Sequence, residues 1–420
     1  MLRPIHAWVL GSALALAACA TSTRPFEDPA EADPNGSSSG ASGSSGASSG
    51  ASGSSGASSG ASGSSGASGS SGASSGASSG SSGASSGGSS SGGPGPRVTC
   101  GATACRSDQA CVQGACTFNC TGSSVPGDYA TVQAAVTALA AAGNDATICV
   151  KAQQTSEAIT VADGANHNKK LTIVGVSATR TVLGSLNVTT GFSEVEIVGL
   201  GVQSGVTVQG SGKATLRAMR ISNASGNSLY LRQSSGSAPS TIVVDGTEIT
   251  NASASGYDVQ VYAPYTAQFT VNVSNSWIHG GAYGVYVNAS NPQSAVSLLN
   301  DTIDGARYGI YLAGSASASL TYANNVIANH SDFGVYVTAG LSPIHGNNAL
   351  WGNTNNYSGA AVDGNAYVKA DCMLDMATGA PEPKAGSPCR GAADATKAPA
   401  SDFWNSPRGG AADIGAVDGL

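Results

Sequence analysis

Residues 275–287 read Asn-Ser-Trp-Ile-His-Gly and, after two residues, Tyr-Gly-Val-Tyr-Val. The same pattern returns at residues 300–312 as Asn-Asp-Thr-Ile-Asp-Gly with Tyr-Gly-Ile-Tyr-Leu, and at 324–337 as Asn-Asn-Val-Ile-Ala-Asn with Phe-Gly-Val-Tyr-Val. One isoleucine position recurs every 24 to 29 residues; it is occupied by Ile221, Ile249, Ile278, Ile303 and Ile327. Internal periods of this size are typical of solenoids, in which each coil buries its neighbour's core. The sequence therefore predicts stacked coils.

Stacking places equivalent residues of successive coils above one another, about 4.8 Å apart. The isoleucines then form one inward ladder, and a second consists of Leu229, Val259, Val285, Ile310 and Val335. Asn275, Asn300 and Asn324 align three residues before the isoleucines, where their amides can hydrogen-bond at a turn. We expect nearly nine coils in a rod about 40 Å long.

The composition excludes one class of partner. The chain has 18 Lys and Arg against 25 Asp and Glu in 420 residues, a net charge of -7. No cationic stripe is available to neutralise phosphates, so we expect no nucleic acid partner. Abundant small polar residues with only 10% charged residues suit an exported solenoid.

The N-terminus has the features of a bacterial export signal. Arg3 supplies a positive charge, and the apolar stretch from Trp8 to Leu16 is too short to span a bilayer. It ends in Leu-Ala-Ala-Cys at Cys19, which resembles the bacterial lipobox. This resemblance implies a signal peptide over residues 1–18 and lipidation of Cys19. The alternative is an ordinary secretory signal with an incidental cysteine.

Residues 19–96 are predicted to be a disordered tether rich in Gly, Ser and Ala. Its reach is on the order of 40 Å, estimated for a flexible chain of this length. The alternative is a neutral linker with no role of its own. Ala20 and Thr21 follow the cysteine, and by resemblance to lipoprotein sorting they imply the outer membrane, at the cell surface or on the periplasmic face.

Residues 97–122 form a small cysteine-rich module. Five cysteines within 21 residues of an exported chain indicate disulfides, and the absence of a Cys-x-x-Cys pair argues against a metal site. Many connectivities are open, and we prefer pairs Cys100 with Cys111, Cys105 with Cys116, Cys120 with Cys149, and Cys372 with Cys389. We expect the module to act as a spacer or an end plug.

Residues 123–420 carry the solenoid. Residues 131–143 have apolar positions at helical spacing and predict a short helix that caps the core. The segment from Asp128, Asp-Tyr-Ala-Thr-Val-Gln-Ala-Ala-Val, with the later strands Ile-Cys-Val-Lys, Ala-Ile-Thr-Val and Leu-Thr-Ile-Val-Gly, resembles the opening of pectinesterase-like chains. That resemblance, over roughly residues 125–365, implies an all-β fold: a right-handed single-stranded parallel β-helix of the pectin-lyase type.

The C-terminal stretch from Ser401 to Asp418 looks like the closing motif of bacterial β-helix surface proteins. In that motif, the charges of Arg408 and Asp413 suggest a pair across the closing turn. We interpret this pair as structural.

Relatives with this fold cleave or de-esterify acidic polysaccharides, so the resemblance implies catalytic residues of one of these types. The pectinesterase segments Asp-Phe-Ile-Phe-Gly and Gly-Arg-Pro-Trp have no counterpart. The nearest approximation to a glycosidase site is His279, Asp301, Asp304 and Arg307, since His279 and Asp304 fall in one column on neighbouring coils. Ordinary polar turn chemistry is the alternative. No cofactor is expected, and calcium would be implied only for a polysaccharide lyase.

A more regular surface is the outward column of Tyr230, Tyr286, Tyr311 and Tyr336, which Gln260 interrupts. Exposed rings at coil spacing can stack on sugars or on a partner protein, and Trp277 is likewise expected to point outward. The alternative is a ladder that packs on itself. The favoured function is a lipid-anchored envelope protein that binds carbohydrate or serves as a structural or adhesive component, with a polysaccharide or a surface protein as partner. A polysaccharide-active enzyme is the competing hypothesis.

Overall fold

The computed structural model describes residues 97, 99–101, 103–162, 169–189, 192–210, 212–235, 238–315, 317–361 and 367–419. The predicted signal peptide, Cys19 and tether lie outside the described residues. Within the described part, no helix is long and apolar enough to cross a membrane.

The capping helix α1 spans Val132–Ala141, close to the predicted range. The Thr131 hydroxyl accepts a hydrogen bond from the Ala134 amide at 3.1 Å, and the Glu157 carboxylate accepts from the Val132 and Gln133 amides. These bonds satisfy amides that have no partner inside the first turn. Val132 and Val136 are buried in the main core, so the helix covers one end of it.

Three parallel sheets run along the solenoid, and each coil contributes one strand to each sheet. Sheet 1 contains Ser123–Val125, Ala146–Val150, Lys170–Gly175, Glu194–Val198, Gly212–Arg217, Ser240–Asp245, Phe269–Ser274, Ser294–Leu299, Ser319–Ala323 and Ile344–Gly346. Sheet 2 contains Gln153–Gln154, Thr181–Leu183, Gly201–Val202, Arg220–Asn223, Glu248–Asn251, Trp277–Gly280, Thr302–Asp304, Val326–Ala328, Asn348–Trp351 and Tyr367–Val368. Sheet 3 contains Ala158–Val161, Ser185–Thr189, Val206–Gln209, Leu229–Arg232, Tyr257–Ala263, Tyr283–Ala289, Tyr308–Gly314, Phe333–Val337 and Asn355–Gly359.

Three antiparallel two-stranded sheets lie outside the solenoid. They pair Thr99–Cys100 with Thr103–Ala104, Gln109–Val112 with Ala115–Phe118, and Leu374–Asp375 with Glu382–Pro383. The first two belong to the cysteine-rich module and the third to the C-terminal segment.

The predicted ladders are confirmed by the strand register. Ile221, Ile249, Ile278, Ile303 and Ile327 are successive partners in sheet 2 and are fully buried. The ladder from Leu229 to Val335 is formed in the same way in sheet 3. One apolar cluster fills the solenoid from end to end.

The asparagine column forms the turn between sheets 1 and 2. Asn275, Asn300 and Asn324 have φ angles of 52°, 55° and 60°, in the left-handed region that asparagine tolerates better than most residues. Asn324 donates to the Asn300 side-chain oxygen at 3.1 Å, and Asn300 donates to the carbonyl of Asp413 at 2.9 Å. The column therefore also anchors the C-terminal segment.

The C-terminal segment lies along the flank of the coils and not only across the last one. Arg408 makes its ion pair with Asp418, at 3.4 Å, and touches Asp413 only through that residue's carbonyl. The Asp413 carboxylate instead accepts from the Gly391 and Gly419 amides. The predicted Arg408–Asp413 charge pair is thus wrong in its partner, because backbone amides of the folded segment satisfy that carboxylate.

The cysteine-rich module also lies on this flank. The four disulfides join the same pairs that the sequence analysis preferred: Cys100–Cys111, Cys105–Cys116, Cys120–Cys149 and Cys372–Cys389. The Phe118 amide bonds to the Val176 carbonyl, and the Ser107 amide bonds to the Trp404 carbonyl, so the module touches both the coils and the C-terminal segment. The expectation of a spacer or end plug is wrong, since the module packs against the side of the coils.

Candidate functional site

The outer face of sheet 3 presents one continuous column of side chains. Asn187, Thr207, Tyr230, Gln260, Tyr286, Tyr311 and Tyr336 are successive partners on neighbouring strands. Val285 and Val287 on either side of Tyr286 are buried, whereas Tyr286 is only partly buried. Alternation along each strand therefore turns this column outward.

The C-terminal half of the column belongs to an aromatic strip of seven rings: Tyr257, Tyr283, Tyr308, Phe333, Tyr286, Tyr311 and Tyr336. Rings in each of its two rows stack on one another, with centroids 4.8 Å apart for Tyr257–Tyr283, 4.7 Å for Tyr283–Tyr308 and 4.5 Å for Tyr311–Tyr336. The rows meet edge to face, as between Tyr283 and Tyr286 at 5.7 Å. Such contacts stabilise aromatic pairs beyond their buried area.

The ring faces inside this strip are covered by neighbouring rings. Stacking at 4.5 to 5.4 Å leaves no room for a sugar between Tyr286, Tyr311 and Tyr336. Desolvation raises the pKa of Tyr311 above its usual range, so its hydroxyl stays neutral. The geometry favours the self-packing alternative for these three residues, which offer ring edges and hydroxyls to solvent.

The N-terminal half of the column opens into a depression that we call the polar pocket. Its volume is about 440 Å³, and its lining is Ser185, Leu186, Asn187, Ser204, Gly205, Val206, Thr207, Gln209, Asn227 and Tyr230. None of these residues is charged. The buried amide oxygen of Asn187 has no hydrogen-bond partner among the described residues. Asn227 donates to the Gln260 side chain, which orients both amides at the edge of the pocket.

The uncharged amides and hydroxyls of the polar pocket, together with the tyrosine ring, are groups suited to binding a sugar. Amides offer both donors and acceptors, which matches the hydroxyl groups of a neutral saccharide. An aromatic ring with a polar tip adds contact area for the apolar face of a sugar. The volume lies within the range of small-molecule sites.

The predicted catalytic residue His279 lies on the outer face of sheet 2, a different surface. Its ring stacks on Trp277 with centroids 4.0 Å apart, and its Nε2 is 3.5 Å from Oε1 of Glu248. Glu248 also pairs with Arg220 at 3.2 Å. The sequence analysis missed Arg220 and Glu248. The sequence did contain a signal for them, because Arg220, Glu248 and Trp277 occupy equivalent positions on three successive coils.

The other three predicted catalytic residues do not gather around His279. Asp304 is the partner of His279 on the next coil, but its carboxylate accepts a hydrogen bond from Asn329 at 2.7 Å. Arg307 pairs with Asp332 at 3.3 Å in an exposed turn. Asp301 is completely buried and accepts from the Ser276 amide, and burial raises its pKa well above the usual range. Asp301 and Asp304 do not lie on one face, because side chains three residues apart in an extended segment point to opposite sides; Asp301 is buried and Asp304 is only partly buried.

A metal site is not offered by the cysteines. Among the described residues, the one cluster of possible ligands is Cys100, Cys105 and Cys116. All three sulfurs are in disulfides and supply no thiolate.

The three sheets and inward ladders define the class: the protein is a right-handed parallel β-helix. A family model described as right handed beta helix region matches residues 204–371. A solved structure, that of Escherichia coli YbhC, is similar with a TM-score of 0.34 and 11% sequence identity, over 67% of this chain and 94% of that chain. A search of curated proteins finds no match.

Proposed function

We propose that this protein is a lipid-anchored component of the bacterial cell envelope that binds carbohydrate without cleaving it, with the polar pocket as its binding site. One observation carries the proposal: a depression of about 440 Å³ lined by amides, hydroxyls and the Tyr230 ring, with no charged group among the described residues that line it. The favoured ligand is a neutral saccharide, because a carboxylated sugar would lose hydration there without gaining a cationic partner among the lining residues.

The lining also supports binding over catalysis. Glycoside hydrolysis generally uses a pair of carboxylic acids that flank the bond. The described residues that line the polar pocket include no Asp, Glu or His. A sugar held there would meet hydrogen-bonding groups but no general acid or base.

The proposed location rests on the sequence. The lipobox-like residues before Cys19 support acylation, and the tether of residues 19–96 supports display of the β-helix away from the membrane. The outer membrane is the proposed site of anchoring. A polysaccharide of the envelope or its surroundings is the proposed partner.

The test is a calorimetric titration of the full chain carrying Cys19→Ser, which removes the proposed acylation. Neutral and acidic oligosaccharides are compared as ligands. We expect a neutral ligand to bind and Asn187→Ala to weaken it about tenfold, which corresponds to roughly 1.4 kcal/mol. Asn272→Ala, the matched change on the outer face of sheet 1, is expected to have no effect. Absence of binding by every neutral saccharide would instead favour a purely structural component.

A second candidate function, a polysaccharide-active enzyme, is favoured by the His279–Glu248 contact at 3.5 Å. An imidazole beside a carboxylate is a possible acid–base pair. Incubation with polysaccharides, followed by assays for reducing ends, unsaturated products and methanol, tests it. Activity that Glu248→Gln abolishes would replace the binding proposal.

A further inference from the structure

A second cavity, of about 520 Å³, lies where three distant parts of the chain meet. The outer face of sheet 2 contributes Arg220, Glu248 and Trp277. The cysteine-rich module contributes Arg106, and the C-terminal segment contributes Trp404. We call it the junction cavity. It shares no residue with the polar pocket.

The charges around the junction cavity do not balance. Its lining contains three arginines, Arg106, Arg180 and Arg220, and one carboxylate, Glu248. Glu248 is taken by Arg220 at 3.2 Å, and Arg106 lies 3.3 Å from Asp108 outside the lining. Arg180 is exposed and makes no ion pair with any described residue. One guanidinium at the cavity is therefore available to an anion.

Two buried donors at this cavity lack acceptors. Arg106 is 5% exposed and Trp404 is 8% exposed, so both are more than nine-tenths buried. Nη2 of Arg106 and Nε1 of Trp404 have no hydrogen-bond partner among the described residues. Both nitrogens can only donate, and a buried donor without an acceptor is costly. The missing group is therefore an acceptor.

The rest of the lining is largely apolar. Trp277, Phe403 and Met219 lie around the cavity, and Phe403 and Trp404 meet edge to face at 5.1 Å. An inorganic anion would satisfy the donors but leave the partly exposed ring of Trp277 uncovered. A ligand with an apolar ring would cover Trp277 as well.

We propose that the junction cavity is a binding site for a small organic anion, a carboxylate carried on an apolar ring. The ligand's ring packs among the tryptophans of the lining, and its carboxylate accepts hydrogen bonds from the arginines of the lining. Guanidinium and carboxylate match in shape and charge. Because the cavity exists only when the module and the C-terminal segment are both docked, bound ligand also stabilises that arrangement.

The experiment uses the full chain carrying Cys19→Ser and three probes: benzoate, benzyl alcohol as its uncharged counterpart, and inorganic phosphate as an anion without a ring. Binding is measured by calorimetry and by the rise in Tm. We expect benzoate to bind with a Kd in the millimolar range or below and the other two to bind at least about tenfold more weakly.

Variants assign the binding to the cavity. Arg180→Gln, an exposed change that leaves the fold intact, is expected to weaken benzoate about tenfold. Trp404→Phe, which removes the indole donor but keeps a ring, is also expected to weaken it. Lys213→Gln removes one positive charge on sheet 1 and is expected to change nothing. The proposal is overturned by no benzoate binding up to about 10 mM, by equal binding of benzyl alcohol or phosphate, or by equal effects of Arg180→Gln and Lys213→Gln.

Discussion

Arg408 and Asn275 are joined by a hydrogen bond of 2.8 Å from Nη2 to Oδ1, although 133 residues separate them. The same guanidinium donates to the carbonyls of Gly415 and Ala416 and pairs with Asp418. One buried side chain thus ties the C-terminal segment to itself and to the turn column of the solenoid.

Replacing Arg408 should detach this segment. Arg408→Gln leaves Asp418 buried without its cation, and removing one partner of a buried pair typically costs about 3–5 kcal/mol. Chemical denaturation measures the free energy of unfolding. Arg307→Gln is the matched control, because its pair with Asp332 is exposed and is expected to contribute about 1 kcal/mol or less. Equal losses in the two variants would contradict the assigned role of Arg408.

Asp258 should make the protein less stable as the pH rises. Its side chain is fully buried, neither oxygen has a partner among the described residues, and burial raises its pKa from 3.8 to about 9. Between these values the unfolded chain loses a proton that the folded chain keeps. The stabilising contribution of the neutral Asp258 carboxyl is complete below pH 3.8 and is lost as the pH rises toward 9. Over this range the free energy of unfolding falls by at most about 1.4 kcal/mol per pH unit.

Asp258→Asn removes this titration. The stability of the variant relative to the parent protein should therefore grow from pH 5 to pH 8, measured by urea unfolding at each pH. A difference that stays constant over this range would show that the carboxyl is not desolvated as described.

Gly309 is required by close packing between coils. A Cβ there would lie 2.4 Å from the carbonyl oxygen of Gly334 and 2.6 Å from Nε2 of His330. Gly309→Ala should cost about 1–3 kcal/mol, as overpacking of a core usually does. Gly410→Ala, where the added atom meets nothing within 4 Å, is the control and should leave thermal unfolding unchanged.

Cys19 should decide where the protein resides. Acyl chains on this residue would hold the chain on a membrane, each buried methylene contributing about 0.8 kcal/mol. Cell fractionation of Cys19→Ser is expected to move the protein from the membrane fraction to the soluble fraction. A membrane-bound variant, or a parent protein without attached lipid, would contradict the lipoprotein interpretation.

The periodic part of this structure was accessible from the sequence because one period corresponds to one coil. Ile278 and Ile303 become neighbours once the repeat is aligned, and the same alignment gave the tyrosine column. The hydrogen bond between Arg408 and Asn275 joins the solenoid to a segment that does not repeat, so aligning the repeat could not predict it. Asp301 was wrongly grouped with Asp304, because side chains three residues apart in an extended segment point to opposite sides and Asp301 is buried.

The proposed binding of a neutral sugar at Tyr230 is tested most directly by saturation-transfer difference NMR. The full chain carrying Cys19→Ser is mixed with neutral disaccharides such as cellobiose, maltose and lactose, and with a hexuronate disaccharide. The proposal predicts transfer to the ring protons of at least one neutral sugar, and its loss in Tyr230→Ala but not in Tyr336→Ala. Transfer to the hexuronate alone, or a neutral-sugar signal that persists in Tyr230→Ala, would contradict it.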